Sequence, residues 1–282
     1  MAIKTIGEVT REYLDEAAKA ALAKFRDAVK PIYGATERGA PDHIGTALLL
    51  ELPEGRFLLT AAHVIDHNCD TSLYLGAGGF AILQFEALVT AAPDGKRASD
   101  HADFAIARLD DEFVGKLSNT QFITGADISR SVAPAEGRTY TCLGYPNSKN
   151  KLKPLSGVKI TPKLLPYTST GKPTTQLPKI ARDEFHILVD YNAKYVRDED
   201  GNKVSATDMH GCSGGAIIDL GRISPDSIGA PFEPKLAALF IEGHRAEKVI
   251  VGTRLSAILA GVRQHLKLAE AQPDMATFEK PS

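Results

Sequence analysis

Gly211 Cys212 Ser213 Gly214 Gly215 carries more structural information than any other run of this chain. A serine among glycines sits on a tight turn, where bare Cα positions let peptide N–H groups approach a carbonyl and stabilise charge developing on its oxygen. Its hydroxyl is a weak nucleophile until a neighbouring base takes the proton, and that base needs a third group to fix its tautomer. Upstream, His63 follows the apolar run Leu59 Thr60 Ala61 Ala62 and is read as the end of a strand facing a cleft. Asp103 immediately precedes the apolar run Phe104 to Leu109 and is read as a desolvated acid able to hold an imidazole. Each residue has an ordinary alternative. A glycine turn can be purely structural, a histidine at a strand end can be satisfied by backbone, and Asp103 can form a turn, as acids such as Asp100 and Asp110 do. Three such motifs in one order seldom coincide.

The surrounding chain is that of a globular protein. Its 282 residues carry 33 basic and 35 acidic side chains, so no overall charge points to nucleic acid or an anionic membrane. No run reaches the roughly 18 apolar residues of a membrane span, and no signal-like segment opens the chain. The odd set Cys69, Cys142 and Cys212 disfavours a disulfide framework and suits a reducing compartment, so a cytoplasmic location is expected.

Thr5 to Lys30 shows helical spacing, with a capping box from Thr5 to Glu8 and Pro31 as a stop. Short apolar runs follow: Thr46 to Leu52, Arg56 to Ala61, Thr71 to Leu75, Phe80 to Val89 and Phe104 to Leu109. A second set comprises Thr139 to Gly144, Phe185 to Tyr191, Gly215 to Leu220, Leu236 to Ile241 and Val249 to Thr253. Many short strands separated by turns predict a sandwich or barrel, and Leu255 to Leu268 returns to helical spacing. The expected division is a helical extension at 1–40, a first β unit at 41–130, a second at 131–268 and a flexible tail at 269–282. Within the second unit, 147–182 is read as an irregular, proline-interrupted surface insertion. Its lysines are accompanied by only one aromatic, Tyr167, so nucleic-acid binding is not expected.

With the motifs Thr60 Ala61 Ala62 His63, Ala102 Asp103 Phe104 Ala105 and Gly211 Cys212 Ser213 Gly214 Gly215 in this order, the chain resembles the trypsin-like, chymotrypsin-fold serine proteases. The resemblance spans roughly Gly45 to Val262. It implies an all-β fold of two packed six-stranded antiparallel barrels, to which this chain adds an N-terminal and a C-terminal helix. It also implies a serine endopeptidase with His63 as base, Asp103 as its orienting acid, Ser213 as nucleophile, and the backbone N–H groups of Gly211 and Ser213 as oxyanion hole. The base of the primary pocket falls near Thr207 or Asp208 and a wall near Glu242 and Gly243, which favours a basic side chain at the cleavage position unless these acids are solvated loop residues. Animal digestive members carry an aspartate just before the nucleophile as an activation switch. Here Cys212 stands there, which is similar to bacterial members.

Two rival chemistries are weaker. His63 and His67 have the spacing of a helical zinc pair, but Val64 replaces the glutamate that the metalloprotease motif needs, so no metal and no organic cofactor are expected. Cys212 as nucleophile fails because its side chain should point away from His63 if Ser213 points toward it. The expected partners are a protein or peptide substrate and a regulatory protein. The alternative function is a protease-fold binding or regulatory protein whose site is closed or gated by a partner.

Overall fold

The computed structural model describes residues 4–37, 39–92, 94–150, 162–177, 179–192 and 209–270. Helix α1 (Ile6–Phe25) begins with the expected capping box, the Thr5 side chain accepting from the Glu8 amide while the Glu8 side chain accepts from the Thr5 amide. It buries Ala17, Ala21 and Phe25, spaced by four, on one face. The helix ends earlier than the spacing predicts. Residues from Val29 onward form strand β1 (Val29–Ala35), paired with β2 (Pro41–Leu52). Pro31 is therefore a strand residue. It lies outside the β1 ladder with β4, which covers Ile32 and Tyr33, so its missing N–H costs no bond there.

The first β unit continues with β3 (Gly55–Thr60), β4 (Tyr74–Gly76), β5 (Phe80–Ile82), β6 (Ala87–Val89), β7 (Ala105–Leu109) and β8 (Ile123–Thr124). These give an eight-stranded sheet in the order β5-β4-β1-β2-β3-β7-β6, with β8 parallel to β2. The run Phe80 to Val89, read as one strand, is two, because the chain between them leaves the ladder and Leu83 N–H bonds Leu73 C=O at 2.8 Å. A short helix α2 (Ala62–Asp66) follows β3, and α3 (Asp111–Gly115) follows β7.

The second unit is a closed six-stranded barrel. Its strands are β9 (Thr139–Gly144), β10 (Leu165–Lys172), β11 (His186–Asp190), β12 (Ala216–Gly221), β13 (Lys235–His244) and β14 (Val249–Arg254), in the order β10-β11-β14-β13-β12-β9. The reading of 147–182 as irregular is thus corrected in part, since α4 (Asn147–Asn150) and the barrel stave β10 fall inside it. The prolines that suggested a loop mostly flank the strand. Only Pro166 lies within it, where β10 pairs with β9 and not with β11. Helix α5 (Leu255–Glu270) is the last element among the described residues and buries Leu255, Ile258 and Val262. Among the described residues, no helix is long and apolar enough to cross a membrane.

Among the described residues, three apolar cores follow from this arrangement. One fills the first unit, around Leu49, Leu58 and Leu75, and another fills the barrel, around Tyr140, Ile217 and Phe240. The third runs between the units, joining Leu48 and Leu59 to Leu143, Ala216 and Leu239, with Phe25 of α1 and Ile258 of α5. A site between the units therefore rests on packed walls on both sides. The fold is all-β in two packed units with added N- and C-terminal helices, the first unit an eight-stranded sheet and the second a closed barrel of six, whereas the resemblance implies two closed barrels of six.

Candidate active site

His63 stands in the first turn of α2 rather than at the end of a strand, because the chain turns into a helix directly after β3. Asp103 stands just before β7, in the left-handed region at φ 40°, a conformation that aspartate and asparagine tolerate better than most side chains. Its carboxylate meets His63 twice. Oδ2 lies 2.6 Å from His63 Nδ1, and Oδ1 accepts the His63 backbone N–H at 3.0 Å. The Asp103 side chain is about 10 % exposed and that of His63 36 %, so the pair is sheltered on the acid side and open toward the cavity.

Asp100, which the sequence offers only as a rival acid, holds the loop that presents Asp103. Its Oδ1 accepts the amides of Ala102 and Asp103, while Oδ2 accepts the Thr90 hydroxyl at 2.6 Å and the Arg97 guanidinium at 2.5 Å. From the other unit, Thr253 donates to the Ala102 carbonyl at 2.7 Å. His186 Nε2 lies 2.7 Å from the His101 carbonyl. Residues of the closed barrel thus fix the acid that belongs to the first sheet.

His186 has both nitrogens engaged in the neutral state, since Nδ1 accepts the Arg182 amide at 3.0 Å and Nε2–H donates to His101. Burial pushes its pKa below the ordinary histidine value, and burial acts in the same direction on His43. A depressed histidine contributes its full stability above the unfolded pKa of about 6.5 and loses it as pH falls below that value, where the unfolded chain takes up protons first. The melting temperature is therefore expected to fall from pH 7.5 to pH 5.5 (chosen to bracket about 6.5). In His186→Gln the fall should be smaller by calorimetry, and an unchanged slope would remove this residue from the account.

Ser213 lines the same cavity as His63 and Asp103, a cleft of about 580 Å³. The loop that carries it is held by carbonyls and amides in alternation. Thr46, fully buried on β2, donates its hydroxyl to Gly211 C=O at 2.7 Å and its amide to Ser213 C=O at 2.8 Å. Cys212 N–H bonds Met209 C=O, Gly214 N–H bonds Phe240 C=O, and Gly215 N–H bonds Cys212 C=O. None of these bonds uses the N–H of Gly211 or of Ser213. Gly211 and Gly214 both sit at φ 89°, where L side chains are strained, and a Cβ on Gly214 would run into the Thr46 carbonyl. Cys212 is 2 % exposed and packs in the barrel core with Cys142, away from the cavity.

Of the expected pocket residues, Glu242 and Gly243 line the cavity, whereas Thr207 and Asp208 lie outside the described residues. Met209, His210, Tyr191, His244 and Arg245 line it without having been singled out in the sequence. Glu242 Oε1 is 2.9 Å from His244 Nε2. Among the described residues, no group of three or more histidine, cysteine, aspartate or glutamate side chains is placed to hold a metal ion.

No family model matches the sequence, and no curated protein matches it. One solved structure, "Structure of Glu endopeptidase in complex with MPD", is similar over 86% of this chain and 91% of that chain, at 16% identity and a TM-score of 0.46. The chain's own topology, a closed six-stranded barrel packed against a second, largely antiparallel sheet with His63, Asp103 and Ser213 around one cleft, is that of the chymotrypsin-like fold.

Proposed function

We propose that the protein is a serine endopeptidase acting through His63, Asp103 and Ser213. The reading is carried by the 2.6 Å contact between Asp103 Oδ2 and His63 Nδ1 in the wall of the cavity that Ser213 lines. The carboxylate keeps the proton on Nδ1 and leaves Nε2 as the base. Ser213 Oγ attacks the scissile carbonyl carbon as Nε2 takes its proton, and the carbonyl oxygen becomes an oxyanion that the amides of Gly211 and Ser213 stabilise. Collapse breaks the C–N bond, the imidazolium protonates the leaving amine, and an acyl-serine remains. Water, deprotonated by the same nitrogen, then releases the acid and restores Ser213. An accessible cleft of about 580 Å³ supports this reading over a binding protein with a closed pocket. The odd cysteine count supports a reducing compartment, such as the cytoplasm.

A fluorophosphonate probe tests the proposal. Covalent labelling that maps to Ser213 and disappears in Ser213→Ala is the expected result. A purified protein that resists the probe, alone and with candidate partners, would favour the binding-protein reading.

The finer proposal is a trypsin-like preference for lysine or arginine at the cleavage position. Glu242 supports it from the cavity wall, where its Oε1 lies 2.9 Å from His244 Nε2, and Asp208 is the second acid that the resemblance puts near the pocket. A charged hydrogen bond is worth about 1.5–3 kcal/mol, so Asp208→Ala should lower the ratio of kcat/KM for arginine over alanine peptides at least about tenfold. Equal ratios in the two proteins would place Asp208 outside the pocket.

A further inference from the structure

Beneath the nucleophile loop lies a polar pair for which the triad has no use. His43, on β2, is 2 % exposed, and its Nδ1 lies 2.5 Å from Asn147 Oδ1 at the start of α4. Because that oxygen only accepts, Nδ1 carries the proton. The other nitrogen, Nε2, is buried with no hydrogen-bond partner among the described residues, while the rings of Tyr33 and Tyr145 pack against the imidazole at centroid distances of 5.4 and 6.4 Å. A buried ring with one nitrogen unsatisfied is a poor choice for packing alone, since the unmet group carries a desolvation cost. Its contribution must come through Asn147.

Asn147 in turn touches the catalytic loop in two ways. Its backbone N–H donates to the His210 carbonyl at 2.8 Å. Its side-chain oxygen and His43 Cε1 lie directly against the α-carbon of Gly211, so that a Cβ there would meet both. The direction of the first bond matters, because the carbonyl of one residue and the amide of the next belong to one planar trans peptide and point opposite ways. Fixing His210 C=O onto Asn147 aims Gly211 N–H away from Asn147. The same logic holds one turn later, where Cys212 C=O accepts Gly215 N–H at 2.9 Å and so orients Ser213 N–H. The glycine at φ 89° gives the 210–211 peptide freedom to rotate, and nothing in the loop's own bonds through Thr46 prevents that rotation, since these hold Gly211 and Ser213 by their carbonyls.

We infer that Asn147, held in place by His43, is a positioning residue that keeps the 210–211 peptide turned so that Gly211 N–H faces the developing oxyanion. The inference rests on the serine-hydrolase reading of the same site. It adds a control point in which a loop from the second unit and a strand from the first must meet for the oxyanion hole to be complete.

The test uses acylation by an activated p-nitrophenyl ester and by its thiono analogue. Sulfur accepts hydrogen bonds poorly, so the preference for the oxygen ester reports the oxyanion donors themselves. Loss of one such donor costs about 100- to 1,000-fold in kcat, so loosening one is expected to cost at least about tenfold. In Asn147→Ala, kcat for the oxygen ester should fall by that factor with KM little changed, and the oxygen-over-sulfur preference should shrink about as much. His43→Leu, which removes the donor to Asn147, should behave alike, and His43→Gln, which can still donate, should recover most of the rate. Thermal unfolding shows whether each variant is folded, and the His43 pair carries the test if Asn147→Ala is not. Equal losses on both esters, or no loss in folded Asn147→Ala or His43→Leu, would overturn the inference while leaving the hydrolase reading standing. A wild-type protein that reacts with neither ester, or a Ser213→Ala variant that reacts as well as wild type, would overturn the hydrolase reading and this inference with it.

Discussion

Ser213→Ala is expected to lower kcat/KM for any peptide or ester substrate by at least about a thousandfold, with the fold unchanged. The substitution removes one oxygen atom from a residue held through its backbone, since Ser213 C=O accepts Thr46 N–H at 2.8 Å whatever the side chain. The loss is therefore chemical and not structural. His63→Ala should lose a similar factor, and the double variant little more than either alone, because nucleophile and base act as a unit. What remains above the uncatalysed rate would report the amides of Gly211 and Ser213. Turnover in Ser213→Ala within about tenfold of wild type would remove this residue from the reaction.

The three residues proposed to react stand out in the sequence because each lies in a distinctive setting: a serine between glycines, a histidine after small residues, an aspartate before an apolar strand. Five of the six strands of the closed barrel are legible for a similar reason, since runs such as Thr139 to Gly144 coincide with β9 residue for residue, whereas β10 is hidden in a proline-interrupted stretch. The groups that hold those three residues do not stand out. Thr46 bonds Gly211 across 165 positions, His43 meets Asn147 across 104, and Tyr145 N–H reaches the Thr46 hydroxyl across 99. Threonine, asparagine and histidine occur singly in every loop and strand, and nothing in their neighbours marks a partner so far along the chain. Asp100 shows the same limit more sharply. It was visible as an acid, but its role as acceptor for the Asp103 amide depends on the turn between them. The end of α1 is not legible because Val29 continues the helical spacing, whereas pairing with Leu48 on β2 makes it a strand residue. Tertiary hydrogen bonds outweigh a local preference there.

Asp103→Asn is expected to lower kcat by about ten-thousandfold, more than the near-identical shape of the two side chains suggests. At φ 40°, asparagine is among the few residues that accept the backbone without added strain, so the loop should keep its form. The amide can face His63 in two ways, and the His63 backbone N–H decides between them. It donates to Oδ1 at 3.0 Å, so the amide oxygen must occupy that position. The NH2 group then takes the place of Oδ2, 2.6 Å from His63 Nδ1, and points a hydrogen at it. Nδ1 is forced to accept, the ring's proton moves to Nε2, and Nε2, the proposed base, can no longer take the Ser213 hydroxyl proton. The prediction thus separates the carboxylate's two contacts. Asp103→Ala loses both and should also lower the melting temperature, because the His63 amide and the imidazole lose their acceptor. Asp103→Asn should keep the melting temperature near wild type while losing the rate. A variant that retains more than about a hundredth of wild-type kcat would mean that the imidazole reaches its working tautomer without the charge, and that Asp103 serves only to place the ring.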